Sequence, residues 1–346
     1  MKIGRHEIGA GRPTFVIAEI GVNHDGSVAR AIELVEHAKA AGADAVKLQV
    51  FTADRLVHAS AEFAEYQKDR TAAASPTEML RQYELDEAAL RIVADAAAAA
   101  GLELLATPFS LEDVPRVAAV ASAIKIASPD LVNRLLLRRV IGTGMPMILS
   151  TGAATAEEVT NAATWLRAVT KSPAFALLHC VSNYPVDEAD ANLRWVRWLS
   201  QFGAPVGYSD HAMAADAGAL AVACGACVIE KHLTYDTAAI GPDHSASLDP
   251  AQFADYIARI RKADRMLGRG GERRVLPCEA DVRRVSRQSL VARRDLLAGH
   301  VVTEDDLTTQ RPGTGCSTER FDDVLGRPLR RALRRGEMLM TEDVDL

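Results

Sequence analysis

Between residue 15 and about residue 267, short, mostly apolar runs alternate with longer stretches rich in Ala and Leu. The runs are FVIAEIG (15–21), AVKLQVF (45–51), ELLATPF (103–109), AIKIAS (123–128), PMILST (146–151), FALLHCV (175–181), PVGYSD (205–210) and CVIEKHLT (227–234). Runs this short and this apolar fit strands of a parallel sheet buried on both faces. The stretches between them predict helices, among them 29–41, 87–100, 156–169 and 250–267, the last with Asp249 as N-cap ahead of Pro250. Eight successive βα units predict a closed (β/α)8 TIM barrel. An open doubly wound sheet usually has fewer strands and a Gly-rich first turn, which this chain lacks.

After Leu267 the pattern changes. GRGGERRVLPCEADVRR is rich in Gly and Arg and predicts a domain boundary, and the remaining C-terminal residues form short alternating strands without a βα period. The expected division is a barrel over 1–270, a linker over 271–285 and a compact β-rich domain over 286–346. A domain of about 60 residues is small enough to lean on a partner for stability. Within the barrel, the polar insertion 52–86 comes after the second strand; it predicts short helices hanging over the barrel mouth, and loops of that length tend to be functional.

With 346 residues and 48% hydrophobic content, the chain can bury a sizeable core. Its net charge of −6 argues against a nucleic-acid surface, and the basic run 283–294 fits a solvated face. No apolar signal core opens the sequence, and no stretch approaches the ~18 uncharged residues of a membrane span. The expectation is a cytoplasmic protein that binds neither nucleic acid nor membrane. Five cysteines, an odd number spread through a large chain, point to reduced thiols. Cys224 and Cys227 form a CxxC with no second pair at zinc spacing, and Cys180 is expected to pack within its strand.

In a parallel barrel the carboxyl ends of all strands share one mouth. The unusual polar residues collect at those ends: Glu19, Lys47, Gln49, Thr107, Lys125, Ser128, Asp130, Ser150, Ser182, Tyr184, Ser209, Asp210, His211, Glu230, Lys231 and His232. His211 and His232 close the seventh and eighth strands, where one divalent metal held between them would explain the abrupt change from apolar to polar. Lys47 and Lys125 lie inside buried strands, and a buried ammonium is costly unless a carboxylate or an anion meets it. Pairing of Lys47 with Glu19 on the neighbouring strand is the structural alternative. A substrate carrying phosphate and carboxylate groups would satisfy both lysines, and the surrounding hydroxyls suit phosphate oxygens. Asp243, beside a Gly-Pro turn, either grips a sugar hydroxyl or caps the helix beginning near Pro250.

AEIGVNHDG (18–26), GADAVKLQVF (42–51), LLATPFS (104–110), IKIAS (124–128), ILSTG (148–152), HCVSNYP (179–185), GYSDH (207–211), EKH (230–232) and GPDHSASLDP (241–250) together resemble the sialic acid synthase family. RPGTG (311–315) extends the resemblance into a C-terminal antifreeze-like (SAF) domain. The resemblance implies condensation of phosphoenolpyruvate with an N-acyl-hexosamine-type aldose, such as N-acetylmannosamine, to a nine-carbon 2-keto-3-deoxy sugar acid. It assigns Mn²⁺ or Mg²⁺ to His211 and His232. It places Lys47, Thr107, Lys125, Ser128, Ser150, Ser182 and Ser209 around phosphoenolpyruvate, and Glu19, Gln49, Tyr184 and Asp243 near the sugar or metal-bound water. Arg311 would reach the barrel of the other subunit in a domain-swapped homodimer and bind the acyl group. The family's acid/base glutamate falls on Asp130, one methylene shorter, so Glu19 or Glu230 is an alternative for its role. Ser182 stands where some relatives have asparagine.

Two other readings remain open from sequence. The same condensation on a 6-deoxy diamino sugar or another aldose would give a different 3-deoxy-ulosonic acid. A sugar-binding protein with a dead barrel is the non-enzyme alternative, although such a barrel should have lost some of the strand-end Lys and His residues that this chain keeps.

Overall fold

The computed structural model describes residues 1–58, 60, 73, 75–170, 175–268 and 270–345; most of the middle of the 52–86 insertion therefore lies outside the described residues. Two compact units divide at Gly270 and Gly271. In the first, an antiparallel hairpin of β1 (Lys2–Ile3) and β2 (His6–Glu7) precedes eight parallel strands. These are β3 (Phe15–Glu19), β4 (Ala45–Val50), β5 (Glu103–Pro108), β6 (Ala123–Ile126), β7 (Met147–Ser150), β8 (Phe175–Cys180), β9 (Val206–Asp210) and β10 (Val228–His232). They pair in sequence order, and β10 returns to β3 to close the barrel.

The period of two along each strand sorts side chains by face. Outward residues such as Val16, Ala18, Val46, Leu48, Ile124, Leu149 and Leu177 join the core beneath the helices. Inward residues fill the lower barrel with Ile17, Ala45, Leu105, Ala123, Ile148, Ala176, Leu178 and Val228, and Ile3 and Ile8 of the N-terminal segment pack into the same cluster. Gly207 is inward where there is no room for more: a Cβ there would stand 2.3 Å from the Val228 carbonyl and 2.5 Å from Leu178. Two residues further along each strand, the same inward rows turn polar.

The helices are set by local signals. Ser27 caps α1 (Val28–Ala41), which ends on Gly42 in the left-handed region. Among the described residues the insertion contributes two short helices, α2 (Ala53–Leu56) and α3 (Pro76–Arg81), ahead of α4 (Glu87–Ala100). The outer ring continues with α5 (Asp113–Ala118), α6 (Arg134–Ile141), α7 (Ala156–Val169), α8 (Arg194–Leu199), α9 (Ala217–Ala223) and α10 (Pro250–Leu267). Thr155 with Glu158 and Asp249 with Gln252 form capping boxes at α7 and α10.

The second unit pairs β11 (Ser289–Ala292) with β12 (Leu307–Gln310) in a small antiparallel sheet around its own core, which includes Leu290, Val302, Leu329 and Leu339. Buried Asp306 ties its loops, accepting hydrogen bonds from Arg294, His300 and Thr303.

Candidate active site

The polar upper rows of the barrel enclose a cavity of about 390 Å³. Its lining includes Glu19 from β3, Lys47 and Gln49 from β4, Thr107 from β5, Lys125 from β6 and Ser150 from β7, with Ser209 and His211 around the end of β9 and Glu230 and His232 from β10. Ser128, Ser182, Tyr184 and Asp243 join them from the loops after the strands. A larger cavity, about 560 Å³, adjoins this one through Cys180 and Ser182, with Val159, Trp195, Trp198 and Leu199 in its walls and no acidic or basic side chain except His179. Charge and hydrogen-bonding capacity are concentrated in the smaller one.

Glu19 and Lys47 are register partners on adjacent strands and form a buried ion pair, so the structural alternative for Lys47 is realised inside the cavity. Glu230 Oε1 lies 3.8 Å from both Lys47 Nζ and Lys125 Nζ and accepts a hydrogen bond from Ser209. Lys125 donates to Ser150 Oγ at 2.7 Å and to the Ile126 carbonyl at 3.1 Å; Lys47 donates to Thr107 Oγ1 at 3.4 Å. Burial pulls Lys47 down to about 8, helped by the Lys125 ammonium and resisted by the Glu230 and Asp243 carboxylates. Burial opposes ionisation of Glu230, but Lys125, Lys47 and the Ser209 hydroxyl outweigh it and hold its carboxyl below the usual range. Two cations thus share a small set of carboxylates in a space large enough for a polyanion.

Gly152 shapes the hydroxyl side. Its N–H donates to Ser128 Oγ at 3.0 Å, and a Cβ there would come within 2.3 Å of Ser182 Oγ and 2.9 Å of Ser128 Oγ. Only a residue without a side chain lets the two serines close in.

The rings of His211 and His232 stand 5.7 Å apart, with Tyr184 4.0 Å from the first and 5.9 Å from the second. His211 Nδ1 donates to the Val181 carbonyl at 2.8 Å; burial pulls the imidazole down, but Cys180 and that carbonyl outweigh it and raise His211 above its ordinary value. Burial, reinforced by the nearby cations, holds His232 well below its ordinary value and therefore neutral, and its buried Nδ1 makes no hydrogen bond. The neutral His232 nitrogen without a hydrogen-bond partner, with the His211 imidazole beside it, fits the requirements of a divalent metal, whose binding would displace the proton that His211 favours. Among the described residues no three His, Cys, Asp or Glu side chains converge as a complete ligand set. Asp243 is the acid beside the pair, its Oδ2 3.6 Å from His232 Nδ1.

Some expected residues lie elsewhere. Asp210 and Lys231 point away from the mouth, because the alternation that turns their neighbours inward turns them into the helix layer. Asp130 does not line the cavity; it sits in a short 3-10 turn (Ser128–Val132), accepts a hydrogen bond from Asn133, and has its carboxyl raised by burial against that bond. Arg311 belongs to the second unit, just after β12. Cys180 does more than pack, since it lines the cavity with its Sγ 3.9 Å from His211 Nδ1. The sequence pattern gave no sign of an apolar wall, Val22, Phe51, Leu56, Met79, Leu80 and Phe109, part of it from α2 and α3. Phe51 and Phe109 meet edge to face at 6.1 Å.

A closed βα barrel with two buried ammoniums and a ring of hydroxyls in a cavity at its carboxyl end has the layout of an enzyme that handles a small anionic substrate. The NeuB family model matches residues 34–272 and the SAF domain model residues 287–345. The chain is 38% identical over 343 residues to an N,N'-diacetyllegionaminic acid synthase of Legionella pneumophila, covering 97% of this chain and 96% of that protein. It is 31% identical over 340 residues to a pseudaminic acid synthase of Campylobacter jejuni, covering 96% and 97%. A solved N-acetylneuraminic acid synthetase from Leptospira borgpetersenii superposes with a TM-score of 0.72 at 29% identity, over 82% of this chain and 94% of that one. The chain belongs to the NeuB family. It is a synthase of the sialic-acid type, a class that condenses phosphoenolpyruvate with amino sugars.

Proposed function

We propose that the protein joins C3 of phosphoenolpyruvate to the aldehyde carbon of an open-chain N-acyl-hexosamine such as N-acetylmannosamine. Water adds at C2, the C–O bond to phosphorus is broken at carbon, inorganic phosphate leaves, and a nine-carbon 2-keto-3-deoxy sugar acid remains. The observation that carries this is the pair of buried ammoniums, Lys47 and Lys125, facing one cavity with the two imidazoles. Lys125 with Ser150, Lys47 with Thr107, and the hydroxyls of Ser128, Ser182 and Ser209 hold the phosphate and carboxylate of phosphoenolpyruvate. Glu230 keeps both lysines charged until the anion arrives. Gln49, Tyr184 and Asp243 orient the sugar.

Glu19, fixed by the Gly21 N–H at 2.8 Å, moves the proton between attacking water and sugar oxygen, and Asp130 assists through water from the rim. His211 and His232 hold Mn²⁺ or Mg²⁺, which when bound polarises the aldehyde oxygen as a Lewis acid. Arg311 of the partner subunit binds the acyl group in a domain-swapped homodimer. A cytoplasmic setting is part of the same proposal; the described residues contain no helix long and apolar enough to cross a membrane.

A 6-deoxy diamino sugar is the second reading for the acceptor. It is favoured by the likeness to legionaminic and pseudaminic acid synthases and by the wall of Leu56, Met79 and Leu80, which suits methyl groups better than hydroxyls. Incubation with phosphoenolpyruvate, Mn²⁺ and a panel of both sugar types, tracking phosphate release and product mass, tests both readings. Phosphate release that depends on no aldose of the panel would overturn them.

A further inference from the structure

Asp210 and Lys231 are register partners on β9 and β10, and each is the chain neighbour of an imidazole, Asp210 of His211 and Lys231 of His232. Both are fully buried, on the side of the sheet away from the cavity. Lys231 Nζ stands 3.6 Å from Asp210 Oδ2, the oxygen that also accepts the Tyr256 hydroxyl of α10 at 2.7 Å. Asp210 Oδ1 accepts the Ala212 N–H at 2.8 Å, and the Lys231 ammonium donates to the Ala212 carbonyl. The residue after His211 is therefore gripped at both backbone groups, once from each strand.

Stability alone does not account for this arrangement. Packed apolar residues in place of a buried ion pair are often neutral or better for the fold. His232 needs an external anchor more than His211 does, because its Nδ1 has no hydrogen bond while His211 is tied to the Val181 carbonyl. Outer partners that fix a ligating imidazole commonly tune metal affinity. We propose that Asp210, Lys231 and Tyr256 form a positioning latch that sets the spacing and orientation of the His211 and His232 rings, and with it the affinity of their metal site. The proposal rests on the reading of these two histidines as the metal pair.

The test uses the full-length protein and Mn²⁺ alone, counting free ion by electron paramagnetic resonance, so turnover is not needed. The double variant Asp210→Asn/Lys231→Met removes both charges together and leaves neither buried alone. It should bind Mn²⁺ about 10–100-fold more weakly, while metal-free affinity for phosphoenolpyruvate stays within about twofold. Unchanged Mn²⁺ affinity in the folded variant overturns the latch, and so does an equal loss for both ligands, which would be general loosening. If the double variant does not fold, Tyr256→Phe decides: removing one hydroxyl should weaken Mn²⁺ roughly 3–10-fold, and no weakening overturns the proposal. Wild-type protein that takes up no Mn²⁺ overturns the metal reading and the latch with it; normal uptake in wild type and variants removes the latch alone.

Discussion

Glu230→Gln keeps the shape and the Ser209 hydrogen bond but removes the carboxylate that stands 3.8 Å from both lysines. Breaking a buried ion pair from one side costs about 3–5 kcal/mol when the remaining charge has no escape. Lys47 has one. Held at about 8 even with Glu230 beside it, Lys47 falls lower once that carboxylate is gone and can shed its proton below pH 8 at a cost on the order of 1 kcal/mol. The deficit of the variant should therefore be largest at pH 6, smaller at pH 7 and smallest at pH 8, changing by on the order of 1 kcal/mol per unit.

In the unfolded chain Lys47 keeps its proton through this range, whereas in the folded variant, without Glu230 to raise it, burial and Lys125 favour its loss. The unfolded variant thus binds one proton more, and its stability rises with pH by about 1.4 kcal/mol per unit. Urea unfolding of both proteins at pH 6, 7 and 8, without metal or substrate, reads the difference and cancels the other titrating groups. A deficit that does not vary with pH would refute the reasoning, as would one of about 3–5 kcal/mol persisting at pH 8.

Above pH 8 the same group should govern substrate capture. As Lys47 loses its charge against Glu19, Glu230, Lys125 and Asp243, kcat/KM for phosphoenolpyruvate should fall about tenfold per unit, and a flat profile from about pH 8 to 9.5 would count against its role. Lys125→Met, which removes the donor to Ser150, should raise KM for phosphoenolpyruvate by about 1.5–3 kcal/mol of binding, roughly 10–100-fold, measured by initial rates. EDTA should abolish turnover and Mn²⁺ restore it; chelator-resistant activity would remove the metal from the mechanism. His211→Ala and Arg311→Ala, each nearly inactive, should regain activity on co-expression, because a mixed dimer contains one intact site. Proven mixed dimers without activity would place Arg311 in the service of its own chain.

The barrel was legible because eight apolar runs at βα spacing leave little else to build, and the helices at 87–100, 156–169 and 250–267 carry strong ends: Asp86, Thr155 and Asp249 as caps. The N-terminal hairpin was not, since strands of two residues have no period. Most inward polar residues were legible as strand-end residues, but their direction was not used. Applying the period of two to SDH and EKH separates Ser209, His211, Glu230 and His232 from Asp210 and Lys231. Asp130 escaped that logic because it lies beyond β6 in a turn, where no alternation holds. Leu56, Met79 and Leu80 escaped it because the insertion obeys no period of the barrel, and their place emerges only once they pack on Phe51 and Val22.

Ile3 and Ile8 act as a stopper at the foot of the barrel. Among the described residues the foot of the barrel is thereby shut, and substrates reach the charged chamber from the carboxyl ends of the strands, where a shared way in imposes a queue. An anion held beside Lys125 and Ser150, below the loop residues proposed to orient the sugar, would have to arrive before it. Ordered entry would then result from a plugged floor, without any moving gate.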